Sequence, residues 1–350
     1  MICYSTLKYE QGELKNGTVN VGDMIQSLAA IQYLPRIDYY VERGQGKNIS
    51  DKFPKSFCIM NGWYSKNMLP MPTNITPFYI SIHCSKREML TPDVIAHLKQ
   101  HSPIGCRDIS TLKLLQSQEI DAYYSGCLTL TFPRSKAKRS DRVYLVDLDR
   151  RALALIPENI KKKAIRVNYN TPLKVTDILK SKSGVFRPLP RREDRIQELL
   201  YIPKVFLNSE FRCLFPSKWT NQELANLLHF FKARSLLNLY SQASLVITNR
   251  VHCASPCIAL GTPVIFIPKQ EHLSGQSRFE FLEPYIPINM KAVSTEDINW
   301  HPQAVNIENH KHFLRNLCQK AVEMCKNPLQ EIPLTHFHEE SGWNSQHFLE

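Results

Sequence analysis

An arginine and a histidine stand two positions apart in "VITNRVHCASPCIALGTPVIFI", Val246 to Ile267, between two aliphatic runs that read as buried strands. Because the stretch also carries Cys253 and Cys257, four readings compete: a metal site, a redox site, an anion site and plain core. Structural zinc needs four ligands in two close pairs, and no C-x-x-C or second pair accompanies these cysteines. A Cys–His nucleophile fails as well, since His252 and Cys253 are adjacent and adjacent side chains rarely face one another. Arg250 can offer a planar fork to a carboxylate or phosphate, and His252 changes charge near neutral pH. Together they suit an anion pocket with a proton donor. The blander reading is a satisfied histidine at a domain edge, with Cys253 in the core.

Other junctions carry similar chemistry. In Asn20-Val21-Gly22-Asp23, Gly22 permits close approach to the first turn of a helix, whose amides can hold an anion or a hydroxyl-rich ligand. Asp23 can bind sugar hydroxyls or simply cap that helix. No G-x-G-x-x-G and no G-x-x-x-x-G-K-[ST] occurs, so dinucleotide and P-loop readings have no support. Asn61 and Trp63 in "MNGWY" combine an amide for the edge of a sugar with a ring for its face, or form a turn with aromatics packed beneath. Arg107, in "GCRD", offers a second fork, with Asp108 fixing it or capping the next helix. Lys269 and His272 follow the strand after His252 and face the same opening.

Alternating patterns must position these groups. "MICYSTL", "SFCIMNG", "PFYISIH", "PIGCRD" and "IDAYYSGC" read as strands. Between them, Met24, Leu28, Ile31 and Leu34 mark an amphipathic helix, and Thr91-Pro92 opens another as cap and first residue. The alternation restarts after the basic run "PRSKAKRSD" with strands "RVYLVDLD", "KAIRVNYN", "LVITNRV" and "PVIFIP". Its helices are "REDRIQELLYIPKVF", one or two in Asn221–Ala243, "HCASPCIALG" closed by Gly261, and a last one with Phe313, Leu317, Ala321 and Met324 on one face. This predicts an α/β protein of two Rossmann-like domains facing a cleft: residues 1–135, residues 141–300, and a C-terminal helix with a polar tail over 301–350. In parallel sheets ligands bind beyond the carboxyl ends of the strands, which is where the singled-out residues fall.

The chain has 350 residues, enough for two domains, and 43% hydrophobic content argues against disorder. No apolar stretch approaches membrane-span length and no secretion signal opens the sequence, so a cytoplasmic protein is expected. A formal charge of +12 favours anionic partners without choosing among them. The basic runs Pro133–Arg142, Lys161–Arg166 and Arg187–Arg195 read as solvated faces; they are nearly free of aromatics, which counts against nucleic acid. Ten widely spaced cysteines are expected as free, mostly buried thiols.

Four stretches together resemble the polysaccharide pyruvyl transferase family: "NVGDMI", "GCRDIST", "YYSGCLTL" and, most specifically, "SLVITNRVHCASPCIALGTPVIFI". The resemblance implies a glycosyltransferase-B-like arrangement that uses phosphoenolpyruvate to build a pyruvate ketal on a saccharide or lipid-linked saccharide of the cell envelope. It implies no metal and no cofactor, and work at the inner face of the membrane with a peripheral contact to it. On this footing His252 is similar to the general acid, and Arg250, Arg107, Lys269 and His272 to the phosphoenolpyruvate clamp. Asp23 becomes a candidate base, and Asn20, Gly22, Asn61 and Trp63 candidates for the acceptor. The acceptor side then belongs to residues 1–135 and the donor side to residues 141–300. Ser125-Gly126-Cys127 replaces the family's G-D-P turn and "MNGWY" its glycine-rich strand end, which bears on the acceptor more than on the donor. A glycosyltransferase of the same fold with a nucleotide-sugar donor is the alternative; no Glu or Gln follows Arg250 at the spacing that would grip a ribose.

Overall fold

A computed structural model describes residues 2–9, 18–50, 52–84, 86–172, 221–269 and 277–326. The expected helix over "REDRIQELLYIPKVF", the basic run Arg187–Arg195, the tail from Pro328 and His272 lie outside the described residues.

The first half builds a six-stranded parallel sheet in the order β3-β1-β4-β5-β6-β7. Its strands are β1 (Cys3–Lys8), β3 (Tyr39–Glu42), β4 (Ser56–Tyr64), β5 (Ile75–Cys84), β6 (Ile104–Cys106) and β7 (Ala122–Tyr124). Helices α1 (Val21–Ile31), α2 (Pro92–Gln100) and α3 (Ile109–Gln116) connect them. The second sheet is also parallel, in the order β12-β11-β8-β9, from β8 (Val143–Val146), β9 (Ile165–Val167), β11 (Leu245–Thr248) and β12 (Val264–Phe266). Short helices α4 (Arg150–Leu155) and α5 (Glu158–Lys163) lie between β8 and β9. An antiparallel pair joins the halves: β2 (Thr18–Asn20) with β10 (Asn170–Pro172). The chain is thus a mixed α/β protein with parallel sheets.

Strand alternation explains how the second sheet is covered. Leu145, Leu245, Ile247, Ile265 and Ile267 face one apolar cluster with Ala152, Leu155 and Ile298. Their neighbours Tyr144, Val146, Val246, Val264 and Phe266 face the opposite way, into the large cluster that also contains the first sheet. Successive strand residues point to opposite faces, so a strand covered on both sides is apolar throughout. The shared cluster takes in α1, α6 (Asn221–Gln242) and α7 (Val251–Leu260), and α1 packs on both of the latter. Cys253 and Cys257 are fully buried in it, as packing demands, and the described cysteines are all free.

Several sequence expectations are corrected. Asn221–Gln242 is one continuous helix, α6. "KAIRVNYN" divides: Ile165–Val167 joins the second sheet, whereas Asn170–Pro172 pairs with β2. Within the basic run, Arg139 turns inward, donating to the carbonyls of Tyr240 and Ser241 at 3.3 and 3.0 Å and of Leu260 and Gly261 at 3.0 and 2.7 Å. A guanidinium there satisfies the orphan carbonyls at the ends of α6 and α7 together. The final helix, α8 (Glu308–Lys326), buries Phe313, Leu317 and Ala321 as expected. It also buries His310, whose ring bonds the Ser125 carbonyl at 2.9 Å and so ties α8 to the end of β7.

Candidate functional site

Each sheet ends in an arginine corner. In the second sheet β11 stops at Thr248, three residues earlier than the expected strand "LVITNRV". Arg250 is the N-cap of α7, its amide held by the Thr248 hydroxyl at 2.9 Å, and His252 lies in the helix's first turn at φ −83°, ψ 19°. The two side chains therefore do not point to one side, as a strand reading implies; they engage opposite sheets. The Nε of Arg250 pairs with Asp147, at the end of β8, and Lys269 stands 4.0 Å from the same carboxylate oxygen. Asp147 has φ +50°, the left-handed region that is costly for a side chain bearing Cβ. Such strain accumulates at functional sites and persists only where neighbours over-determine it. Asn249 helps, accepting from the Asp149 amide at 2.6 Å and donating to the Ile267 carbonyl, which locks the ends of β8 and β12 around Arg250.

In the first sheet Arg107 follows β6 and is only 5% exposed. Its neighbour Asp108, fully buried, caps α3 by accepting from the Thr111 amide at 2.9 Å and the Ser110 hydroxyl at 2.7 Å. The other Asp108 oxygen meets His83 Nδ1 at 2.6 Å and lies 3.9 Å from Arg107 Nε. Burial pushes this carboxyl up, but the His83 hydrogen bond, the His83 charge and Arg107 outweigh it and hold it well below the usual carboxylate range. Arg107 packs over Phe281 with 5.9 Å to the ring centroid, and its Nε has no hydrogen-bond partner among the described residues.

The corners meet. Arg107 donates from NH1 to His252 Nε2 at 3.4 Å, joining the carboxyl end of β6 to the start of α7. Gly22 closes the same space: a Cβ there would lie 2.5 Å from the Tyr169 hydroxyl and 3.1 Å from His252 Cβ. Only glycine lets α1 approach so near. Tyr169, just past β9, presents its ring to Arg250, 5.4 Å from guanidinium carbon to centroid.

On the far side of the first turn of α1 lies a second group. Asn20, not Asp23, caps this helix, accepting from the Gly22 amide at 3.1 Å. Asp23 instead accepts from Gln26 at 3.0 Å and from Arg43 at 3.5 Å. Arg43 is 2% exposed and lies between the rings of Tyr9 and Trp63, with centroids 4.5 and 5.6 Å away. Asn61 is buried and spends its amide N–H on the Gln26 carbonyl at 2.9 Å.

Arg107, Arg250, His252, Lys269 and Gly22 are thus linked, with Asp23 next to Gly22, Trp63 joined to Asp23 through Arg43, and Asn61 bonded to α1 at Gln26. Sequence reasoning passed over Asp147, Tyr169, His83 and Arg43. Strand-end position is the available signal for the first three, as in "RVYLVDLD", where the aliphatic run gives way to Asp147. No group of three or more His, Cys, Asp or Glu among the described residues could hold a metal ion. No helix among them is long and apolar enough to cross a membrane.

Comparison with known proteins adds independent information. No curated protein matches the chain. A solved structure of an uncharacterized protein from Klebsiella pneumoniae is similar at 13% identity, over 80% of this chain and 88% of that one, with a TM-score of 0.39; so loose a likeness carries no argument. The family model described as polysaccharide pyruvyl transferase matches residues 20–269. That span runs from the cap of α1 to Lys269 and takes in both arginine corners. The chain belongs to the polysaccharide pyruvyl transferase family.

Proposed function

We propose that this protein transfers the enolpyruvyl-derived group of phosphoenolpyruvate to a saccharide acceptor as a pyruvate ketal, in the space between Arg107, Arg250 and His252. The observation that carries the reading is the contact of Arg107 with His252, which sets a buried guanidinium beside a histidine where two parallel sheets converge. Phosphoenolpyruvate has a carboxylate and a phosphate on one small carbon frame, and cations from two sheets suit two anionic ends. In this reading the two sheets are the halves of a glycosyltransferase-B-like cleft, with the acceptor on the Asp23–Trp63 side.

His252 gives a proton to the methylene carbon, converting it to a methyl group and leaving an oxocarbenium-like centre at the neighbouring carbon. One sugar hydroxyl adds there, its proton going to a base for which Asp23 is the candidate. A second hydroxyl of the same sugar then displaces phosphate, which departs with that hydroxyl's proton, and the cyclic ketal remains. As it stands, Arg107 donates to Nε2, so this nitrogen is the accepting, unprotonated one. Turning Arg107 onto an anionic ligand frees Nε2 to carry the proton, which links donor binding to acid catalysis. The acceptor is a polysaccharide unit or its lipid-linked precursor, reached at the inner face of the membrane.

Phosphate release from phosphoenolpyruvate with a lipid-linked saccharide pool tests this. Wild type should release phosphate, and His252→Ala should lose about 100-fold or more of the rate. Protection of the protein by a nucleotide sugar, with no phosphoenolpyruvate binding, would overturn the donor assignment.

A further inference from the structure

We propose that the hydroxyl of Tyr169 is a ligand-binding group of this site, a neutral donor aimed at an anionic oxygen of the ligand held between Gly22, Arg250 and His252. Tyr169 is 1% exposed, and its hydroxyl has no hydrogen-bond partner among the described residues. A buried, unsatisfied hydroxyl is costly, and such groups concentrate where a ligand completes them. Its position is built rather than incidental. β9 delivers the chain from the second sheet, and β10 pairs with β2 in the register Asn170↔Asn20, so Tyr169 is pinned beside the residue before α1. The hydroxyl then reaches Gly22, where it would stand 2.5 Å from any Cβ, and the same point is 3.1 Å from His252 Cβ. One phenol oxygen therefore touches the meeting point of the two halves.

Its chemistry is that of a donor. Burial first, then Cys253, Asp23 and Asp147, push the phenol well above its ordinary value against the opposing pull of Arg250, so the proton stays on oxygen. A phenol held neutral cannot serve as the base, but it can give a hydrogen bond to a phosphate or carboxylate oxygen. Arg250 on its ring face, with Lys269 behind Asp147, supplies positive charge on the same side. An anion is thus the ligand this hydroxyl fits. The proposal takes the identity of the anion from the phosphoenolpyruvate reading, but not the existence of an anion site.

Tyr169→Phe separates the hydroxyl from the ring, because phenylalanine keeps the face that Arg250 uses. Calorimetric titration with phosphoenolpyruvate, and separately with inorganic phosphate, should show affinity about 10- to 100-fold weaker than wild type, the range for a hydrogen bond to a charged group. The melting temperature without ligand should stay level or rise, since an unsatisfied hydroxyl has been removed. Affinities within twofold of wild type, for whichever anion wild type binds, would overturn the proposal and leave Tyr169 a packing residue. If wild type binds phosphate but not phosphoenolpyruvate, the donor reading fails while the phosphate ratio still judges Tyr169. If wild type binds neither anion at millimolar concentration, both fall.

Discussion

The two arginine corners share a plan and differ in their carboxylates. Each places an arginine and an aspartate at the carboxyl ends of parallel strands, Arg107 with Asp108 and Arg250 with Asp147. Asp108 is fully buried and already saturated by a helix amide, a serine hydroxyl and His83, with Arg107 only at the edge of reach. Asp147 is one-quarter exposed, sits on a strained backbone, and has its carboxylate paired with Arg250 and Lys269. A saturated acid positions its arginine without consuming it, which in the proposed function lets Arg107 turn from His252 to the ligand. In the proposed function, an acid whose partners are the cations themselves competes with the incoming anion for Arg250. One corner is fixed and the other exchangeable.

Removing each acid in turn is the strongest way to break that contrast. Asp108→Ala deletes a helix cap and leaves His83 and Arg107 beside an empty buried position, a change that costs about 3–5 kcal/mol. Asp147→Ala removes a partly exposed pair and should cost no more than about 1 kcal/mol. Urea midpoints of the two variants check this. Equal shifts would show that the corners are equivalent in the fold, and the distinction would be lost.

The same contrast marks what the sequence makes legible. Arg107-Asp108 and Arg250-Val251-His252 stand at boundaries where a strand pattern gives way to a helix pattern, so type and position both point to them. The α/β class and most strands follow from alternation and from aliphatic runs such as "LVIT", because burial on two faces leaves few other compositions. The partners were hidden for a different reason. Asp147, His83 and Tyr169 acquire meaning only from residues far along the chain, separated by 103 positions in the case of Asp147 and Arg250. Local pattern carries no information about such pairs. Cap chemistry was ambiguous in the same way: Asn20 and Asp23 are both good caps, and only the backbone decides for Asn20. Arg43 carries no local signal in "VERGQG"; two aromatic faces and Asp23, all distant in sequence, make it core.

Acid should act on the fixed corner first. His310 lies beneath the end of β7, next to β6, with Nε2–H donated to the Ser125 carbonyl and Nδ1 accepting from the Tyr285 hydroxyl. Burial lowers it to about 4, against the opposing effect of the Ser125 bond. The unfolded chain, with histidine near 6.5, therefore binds the proton first. Stability is fully present above pH ~6.5 and is lost as the pH falls towards 4, by about 3 kcal/mol for this one group. His97, lowered to about 4 by burial and by His101, adds to the same slope. Denaturant titrations between pH 7 and 4 should show a steep loss in wild type and a shallower one in His310→Gln. Parallel slopes would remove His310 from the acid response.

The smallest expected effect lies where the corners meet. Gly22→Ala in the first turn of α1 gains helix propensity worth up to about 1 kcal/mol, yet must place its Cβ 2.5 Å from the Tyr169 hydroxyl. Overpacking of this kind costs about 1–3 kcal/mol, so the balance should be a net loss of about 1 kcal/mol. Tyr169→Phe removes the nearest atom, and in that background Gly22→Ala should cost less or nothing. The second contact, 3.1 Å to His252 Cβ, survives the double substitution, so stability should recover while turnover stays below that of Tyr169→Phe alone. A double-mutant cycle with no coupling would place the clash elsewhere and separate Gly22 from Tyr169. Coupling in stability with turnover below that of Tyr169→Phe alone would mean that the glycine serves the ligand's approach to His252 as well as the packing of α1, which joins the fixed corner to the exchangeable one through a single missing side chain.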